Sequence, residues 1–177
     1  MNVLLVAAIT ADGFIGRSPD HLADWTGSAD KKFFTEITKM AGTMIMGSRT
    51  FATIGRALPG RHTIVYTSHP ESITNDGVET TNEEPAALVA RLAANGAQSL
   101  AVAGGASIYH QFMAAGVVNE LYLTVSPLLF GSGVPLFGGE LHVSLRLIES
   151  RQLDANTILL HYRVLTDTPL PVGSTNT

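Results

Sequence analysis

The 177-residue chain reads as one α/β domain built on a largely parallel sheet. Two observations of pattern predict this. Through the first two-thirds, short apolar runs alternate with amphipathic segments that end at glycine. In the final third, three strand-like runs follow one another with no helical pattern after the first of them, which predicts antiparallel strands added at one edge. A third observation concerns composition: 45% hydrophobic and 15% charged residues suffice for one sizeable core and argue against disorder. The expected architecture is a twisted sheet of about eight strands with about four flanking helices.

The elements follow in order. Val3–Thr10 (VLLVAAIT) is a buried-strand pattern, and a loop spans Ala11–Gly27. Ser28–Met40 is helical, with Ser28 as the expected cap and Phe33, Phe34, Ile37 and Met40 at helical spacing. Gly42 ends it. A strand over Thr43–Met46, a short helix over Ser48–Gly55 and a strand over Thr63–Tyr66 come in quick succession. A polar loop with a weak strand near Val78 precedes a helix over Glu84–Asn95, closed by Gly96. Ser99–Ala103 is a strand, and Gly104–Gly105 leads into a helix over Ser107–Ala115. Glu120–Pro127, Leu145–Gln152 and Thr157–Leu165 are strands. Residues 1–166 are taken as the domain. The Pro-, Ser- and Thr-rich stretch 167–177 is expected to be a frayed tail.

Composition excludes several classes of function. A net charge of −4 with no basic stripe argues against a nucleic-acid partner. The absence of cysteine removes disulfides, thiolate catalysis and Cys-based zinc sites. Six histidines are scattered without ligand spacing, so no metal is expected. The N-terminal MNVLLVAAITADG lacks a basic leader and reads as a first strand rather than a signal peptide. No apolar run is long enough for a membrane span, so the expected location is the cytoplasm.

Chemistry concentrates in Thr43–Arg61, TMIMGSRTFATIGRALPGR. The helix start at Ser48, Arg49 and Thr50 presents free backbone N–H groups to an anion. A Pro-Gly turn then delivers Arg61, a planar fork suited to a carboxylate or phosphate. These two anion-holding elements, close together, predict a site for a small charged molecule. Gly104–Gly105, between a strand and a helix, lets backbone approach a pyrophosphate closely but by itself equally suits a tight turn, and the full dinucleotide fingerprint is missing.

Motifs in order along the chain then carry a resemblance. VAAITADGFIG (Val6–Gly16), DW…SAD…FF (Asp24–Phe34), IMGSRTF..IGRALPGR..IV (Ile45–Val65), VAGGASIY.QF (Val102–Phe112) and ELYLT (Glu120–Thr124) resemble dihydrofolate reductase, from Met1 to about Thr166. The resemblance implies NADPH-dependent reduction of 7,8-dihydrofolate to tetrahydrofolate. It implies that Asp30 is the catalytic acid, binding the paired N–H edge of the pterin and supporting protonation of its ring. An Asp in a first helical turn also meets the helix dipole favourably, by about 0.3–1 kcal/mol, so the residue has a purely structural reading as well.

Val6, Ala7, Phe34, Ile54, Leu58, Ala103, Tyr109 and Thr124 are implied at the substrate, with Arg61 clamping the glutamate α-carboxylate. Phe34, Ile54 and Leu58 equally suit a core. Ala8, Ile15 and Gly16 are implied beside the nicotinamide. Gly47, Ser48, Arg49, Thr50, Thr67, Ser68 and the run Gly104, Gly105, Ala106, Ser107, Ile108 are implied around the rest of the cofactor. Ser48 stands where many relatives carry arginine, which leaves Arg49 as the nearby cation for a 2′-phosphate. The Ala11–Gly27 loop is a candidate lid.

Pro127–Gly138, PLLFGSGVPLFG, departs from that pattern and is similar to the reductase domain of riboflavin biosynthesis, which implies a second reading: NADPH-dependent reduction of a ribosylaminopyrimidine phosphate. A non-catalytic nucleotide-binding module is a third. The apolar segment itself is either buried at the sheet edge or an interface, so a monomer is expected with a dimer as the alternative.

Overall fold

The computed structural model describes residues 1–21 and 23–165, so the expected tail at 167–177 lies outside the described residues. The elements are β1 (Asn2–Thr10), β2 (Phe14–Gly16), α1 (Ser28–Ala41), β3 (Thr43–Gly47), α2 (Ser48–Ile54), β4 (His62–Tyr66), β5 (Val78–Thr81), α3 (Pro85–Ala94), β6 (Ser99–Val102), α4 (Ala106–Ala114), β7 (Glu120–Ser126), β8 (Val134–Pro135), β9 (Ser144–Gln152) and β10 (Ile158–Leu165). A single 3₁₀ turn covers Pro70–Ser72.

Eight strands form one sheet in the order β5-β4-β3-β6-β1-β7-β10-β9. Neighbours from β5 to β7 are parallel, and β10 runs antiparallel to both β7 and β9. The antiparallel strands expected at one edge are β9 and β10, and β7, which opens the final third, still runs parallel to β1. Helix α4 carries the chain back across the sheet before β7 begins, and such a crossover returns the next strand parallel.

Both faces of the central strands are covered, which explains why those strands read as near-continuous apolar runs. On one face Val3, Leu5, Ile45, Leu100 and Val102 meet Leu88 and Leu92 of α3 and Phe112 of α4. On the other, Leu4, Val6, Met44, Met46 and Val65 meet Ile37 of α1 and Phe51 of α2. Within β1 the two sets alternate, as the two-residue period of a strand demands.

Two local expectations are also corrected. Gly27, not Ser28, is the N-cap of α1, and no side chain caps the helix. The Gly27 carbonyl accepts the Lys31 N–H at 3.2 Å, so backbone alone closes the first turn. In α3 the helix starts at Pro85, whose missing N–H belongs to a position that has no intrahelical partner in any case.

The two-stranded pair β2–β8 was not expected at all. It is too short to show a period, and it joins segments that the sequence reads as loops. It also divides the 127–138 stretch: Leu136 and Phe137 pack against the core, while Leu129 stays 73% exposed.

Candidate active site

A cavity of about 900 Å³ opens at the carboxyl ends of β1, β3, β4 and β6, where ligands of open α/β sheets bind. Strand direction explains why residues remote in sequence meet there. Val6, Ala7 and Ala8 come from β1, Gly47 closes β3, Tyr66 closes β4, and Ala103 and Gly104 follow β6.

Asp30 sits in the first turn of α1, on the cavity wall, and is 8% exposed. The hydroxyl of Thr124 donates to its Oδ1 at 2.5 Å. Its Oδ2 has no protein partner among the described residues. Thr124 is brought there by the register of β7 against β1, which sets it beside Ala8. Thr124 itself does not line the cavity; it reaches the site through Asp30.

Close by, the Tyr109 hydroxyl donates to the Val6 carbonyl at 2.8 Å. Burial, aided by the Asp30 charge, pushes the Tyr109 phenol well above its ordinary range, so it stays protonated and the donor persists. Trp25 lines the same end, and its indole Nε1 is buried without a partner among the described residues.

Along α1 from Asp30, Phe34 with Ile54 and Leu58 forms an apolar wall that ends at Arg61. The Arg61 guanidinium donates from Nη1 to the Thr38 hydroxyl at 2.7 Å and from Nε to the Pro59 carbonyl at 3.2 Å. Partial burial lowers its pKa, yet a guanidinium remains charged at any working pH. These bonds orient the fork and leave Nη2 for a ligand.

The opposite half of the cavity is made of backbone and small side chains. Gly104 has φ +119, and the Gly47 N–H donates to its carbonyl at 2.8 Å. A Cβ on Gly47 would stand 3.1 Å from Ile108 Cγ1, and one on Gly105 would stand 3.2 Å from Thr50 Oγ1. Neither position takes a side chain without displacing a neighbour. Ser48, Arg49, Thr50, Thr67, Ser68, Ala106, Ser107 and Ile108 line this half, and Ile15 and Gly16 close it from β2. The donor set is hydroxyls, helix-start N–H groups and one cation, which suits a phosphorylated dinucleotide.

Residues that sequence reasoning did not single out also line the cavity. Lys31 and Thr35 flank the Asp30–Phe34 stripe on α1, a position readable from helical spacing once Asp30 is placed. His69 and Asn82, at the far end, and Val134, from β8, carried no readable signal.

The family model described as dihydrofolate reductase matches residues 2–128. The chain belongs to the dihydrofolate reductase family, a family of reductases. It is 30% identical over 171 residues to the uncharacterized protein YwjB of Bacillus subtilis, covering 91% of this chain and 97% of that one. Dihydrofolate reductase from Enterococcus faecalis, solved in complex with NADP(H), superposes with a TM-score of 0.70 at 25% identity, covering 92% of this chain and 96% of that one. A pyrimidine reductase-like protein from Corynebacterium diphtheriae shares the fold, with a TM-score of 0.75 at 16% identity over 94% of this chain and 92% of that one.

Proposed function

We propose that the protein reduces 7,8-dihydrofolate to tetrahydrofolate with NADPH. The observation that carries this reading is Asp30: a carboxylate almost withdrawn from solvent, on the cavity wall beside the apolar face of Phe34, Ile54 and Leu58, oriented through one oxygen by Thr124. A pterin presents two parallel N–H donors that a carboxylate accepts as a pair. An acid held beside the ring raises the fraction of imine that is protonated, and hence electrophilic.

The apolar wall of Phe34, Ile54 and Leu58 suits the benzoyl group, and Arg61 at its end suits the α-carboxylate. Residues Gly104–Ile108, with Gly47, Thr50, Thr67 and Ser68, would hold NADPH, and Arg49 would face its 2′-phosphate. When bound, that cofactor supplies the hydride. The protein's own contribution is placement, exclusion of water and support of one proton at Asp30.

A second reading, reduction of a ribosylaminopyrimidine phosphate, draws on the 127–138 segment, whose Val134 reaches the cavity. The test is to mix purified protein and NADPH with either substrate and follow NADPH absorbance. Consumption with dihydrofolate supports the first reading. Consumption only with the pyrimidine phosphate replaces it by the second, and binding of NADPH without consumption removes both. Within the first reading, Arg61→Lys is expected to raise KM for dihydrofolate about tenfold with little change in kcat, because a point charge replaces a bidentate fork.

A further inference from the structure

The segment that departs most from the family pattern is tied to the cavity wall by one ring. Phe130 does not line the cavity, yet three side chains from the stretch between β2 and α1 converge on it. The Arg17 guanidinium carbon lies 4.2 Å from the ring centroid. The His21 ring is 5.9 Å away, and the Trp25 ring meets it edge-on at 5.4 Å and 72°. His21 and Trp25 both line the cavity.

Phe130 is itself held from below. The Asp12 carboxylate accepts the Phe130 N–H, at 3.0 Å to Oδ2 and 3.2 Å to Oδ1, and the Gly131 N–H at 2.7 Å. The hydroxyl of Thr10, the fully buried last residue of β1, donates to Asp12 Oδ1 at 2.6 Å. The Thr10 hydroxyl, then the backbone N–H groups, hold the Asp12 carboxyl below its usual range, so it is ionised at neutral pH. A continuous series of contacts therefore runs from the central strand through Asp12 and Phe130 to the cavity wall.

Among the described residues from Arg17 to Thr26, the hydrogen bonds are local: Arg17 N–H to His21 Nδ1, His21 N–H to the Ser18 carbonyl, and the Thr26 hydroxyl to the Ala23 carbonyl. None leads to the sheet, so side-chain packing decides where this stretch stands.

We propose that Phe130 is a positioning residue: anchored by Asp12, its ring sets where Trp25 and His21 stand on the substrate side of the cavity. The placement is a property of the protein alone. Its consequence for catalysis rests on the dihydrofolate reading.

The experiment separates the two. Trp25 is the only tryptophan of the chain, so its fluorescence reports this wall directly, without substrate. Phe130→Ala is expected to shift Trp25 emission to the red and raise acrylamide quenching about twofold, with far-UV circular dichroism unchanged and Phe130→Tyr restoring both readings. If dihydrofolate is the substrate, Phe130→Ala also raises its KM about fivefold while kcat changes less, and Phe130→Tyr restores it. Asp12→Asn, which keeps the ring and weakens its anchor, gives a smaller shift of the same sign; it decides the matter if Phe130→Ala does not fold. Emission and quenching equal to wild type in a folded Phe130→Ala protein, or in Asp12→Asn where that is the deciding variant, overturn the proposal. Changed fluorescence without dihydrofolate turnover leaves the positioning role standing and removes only the substrate reading.

Discussion

A carboxylate that is 8% exposed needs a donor, and the Asp30–Thr124 bond supplies it across 94 residues of chain. Two predictions belong to this pair. On the dihydrofolate reading, Asp30→Asn keeps the shape and removes the proposed acid, so kcat for dihydrofolate at neutral pH is expected to fall by about 10²–10³ while circular dichroism is unchanged; a steady-state assay checks it. Thr124→Val removes the donor and leaves the carboxylate without a protein partner. Urea unfolding should then show a loss of about 1–3 kcal/mol, the cost of a buried polar group that has lost its partner. Of this pair, Asp30 was legible because a short local motif surrounds it. The direct bond from Thr124 was not, because it depends on the register of β7 against β1.

Elements at the sheet's margins are held by polar contacts where apolar burial is thin. Edge strand β5 is tied to α3 through Arg91, whose Nη2 stands 2.6 Å from Glu79 Oε1 and 2.8 Å from Glu83 Oε1. Hydrogen bonds from Arg91 and then Thr81 hold the Glu83 carboxyl below its usual value of 4.5. A depressed folded-state pKa gives stability that is present above the unfolded value and lost as pH falls through the folded one. Arg91→Ala is therefore expected to lower Tm by a few degrees at neutral pH, an effect of about 1 kcal/mol for a partly exposed network. The difference from wild type should shrink as the buffer is taken below about pH 4, read by thermal melts across pH. The pair β2–β8 depends instead on Gly133, with φ +154, where a Cβ would collide with the Gly16 carbonyl. That glycine is visible in the sequence, but its reason is visible only once the two strands are side by side.

At the scale of the whole molecule, one cavity joins a half built on α1 to a half built on glycine-rich strand ends. Binding in the second half should stabilise the entire fold, since a ligand that binds only the native state adds RT ln(1 + [L]/Kd). NADPH at a hundred times its Kd is expected to add about 2.7 kcal/mol and to raise Tm by several degrees; NADH, lacking the 2′-phosphate that Arg49 would face, should raise it less at the same concentration. Equal shifts for the two nucleotides would remove the role given to Arg49. Differential scanning fluorimetry reads both.

The sequence by itself determined the alternation of strands and helices, the parallel sheet, the family and the cavity residues that sit in local motifs, such as Asp30, Arg61 and Gly104–Gly105. Periodicity, glycine placement and short-range turns are local properties, so one chain segment carries each of them. Only the tertiary structure decided that β7 runs parallel, that Thr124 reaches Asp30, that β2 finds β8 and that Phe130 stands under Trp25 and His21. Each of those is a pairing between distant segments. Its energy comes from register and packing, which no single stretch of sequence contains.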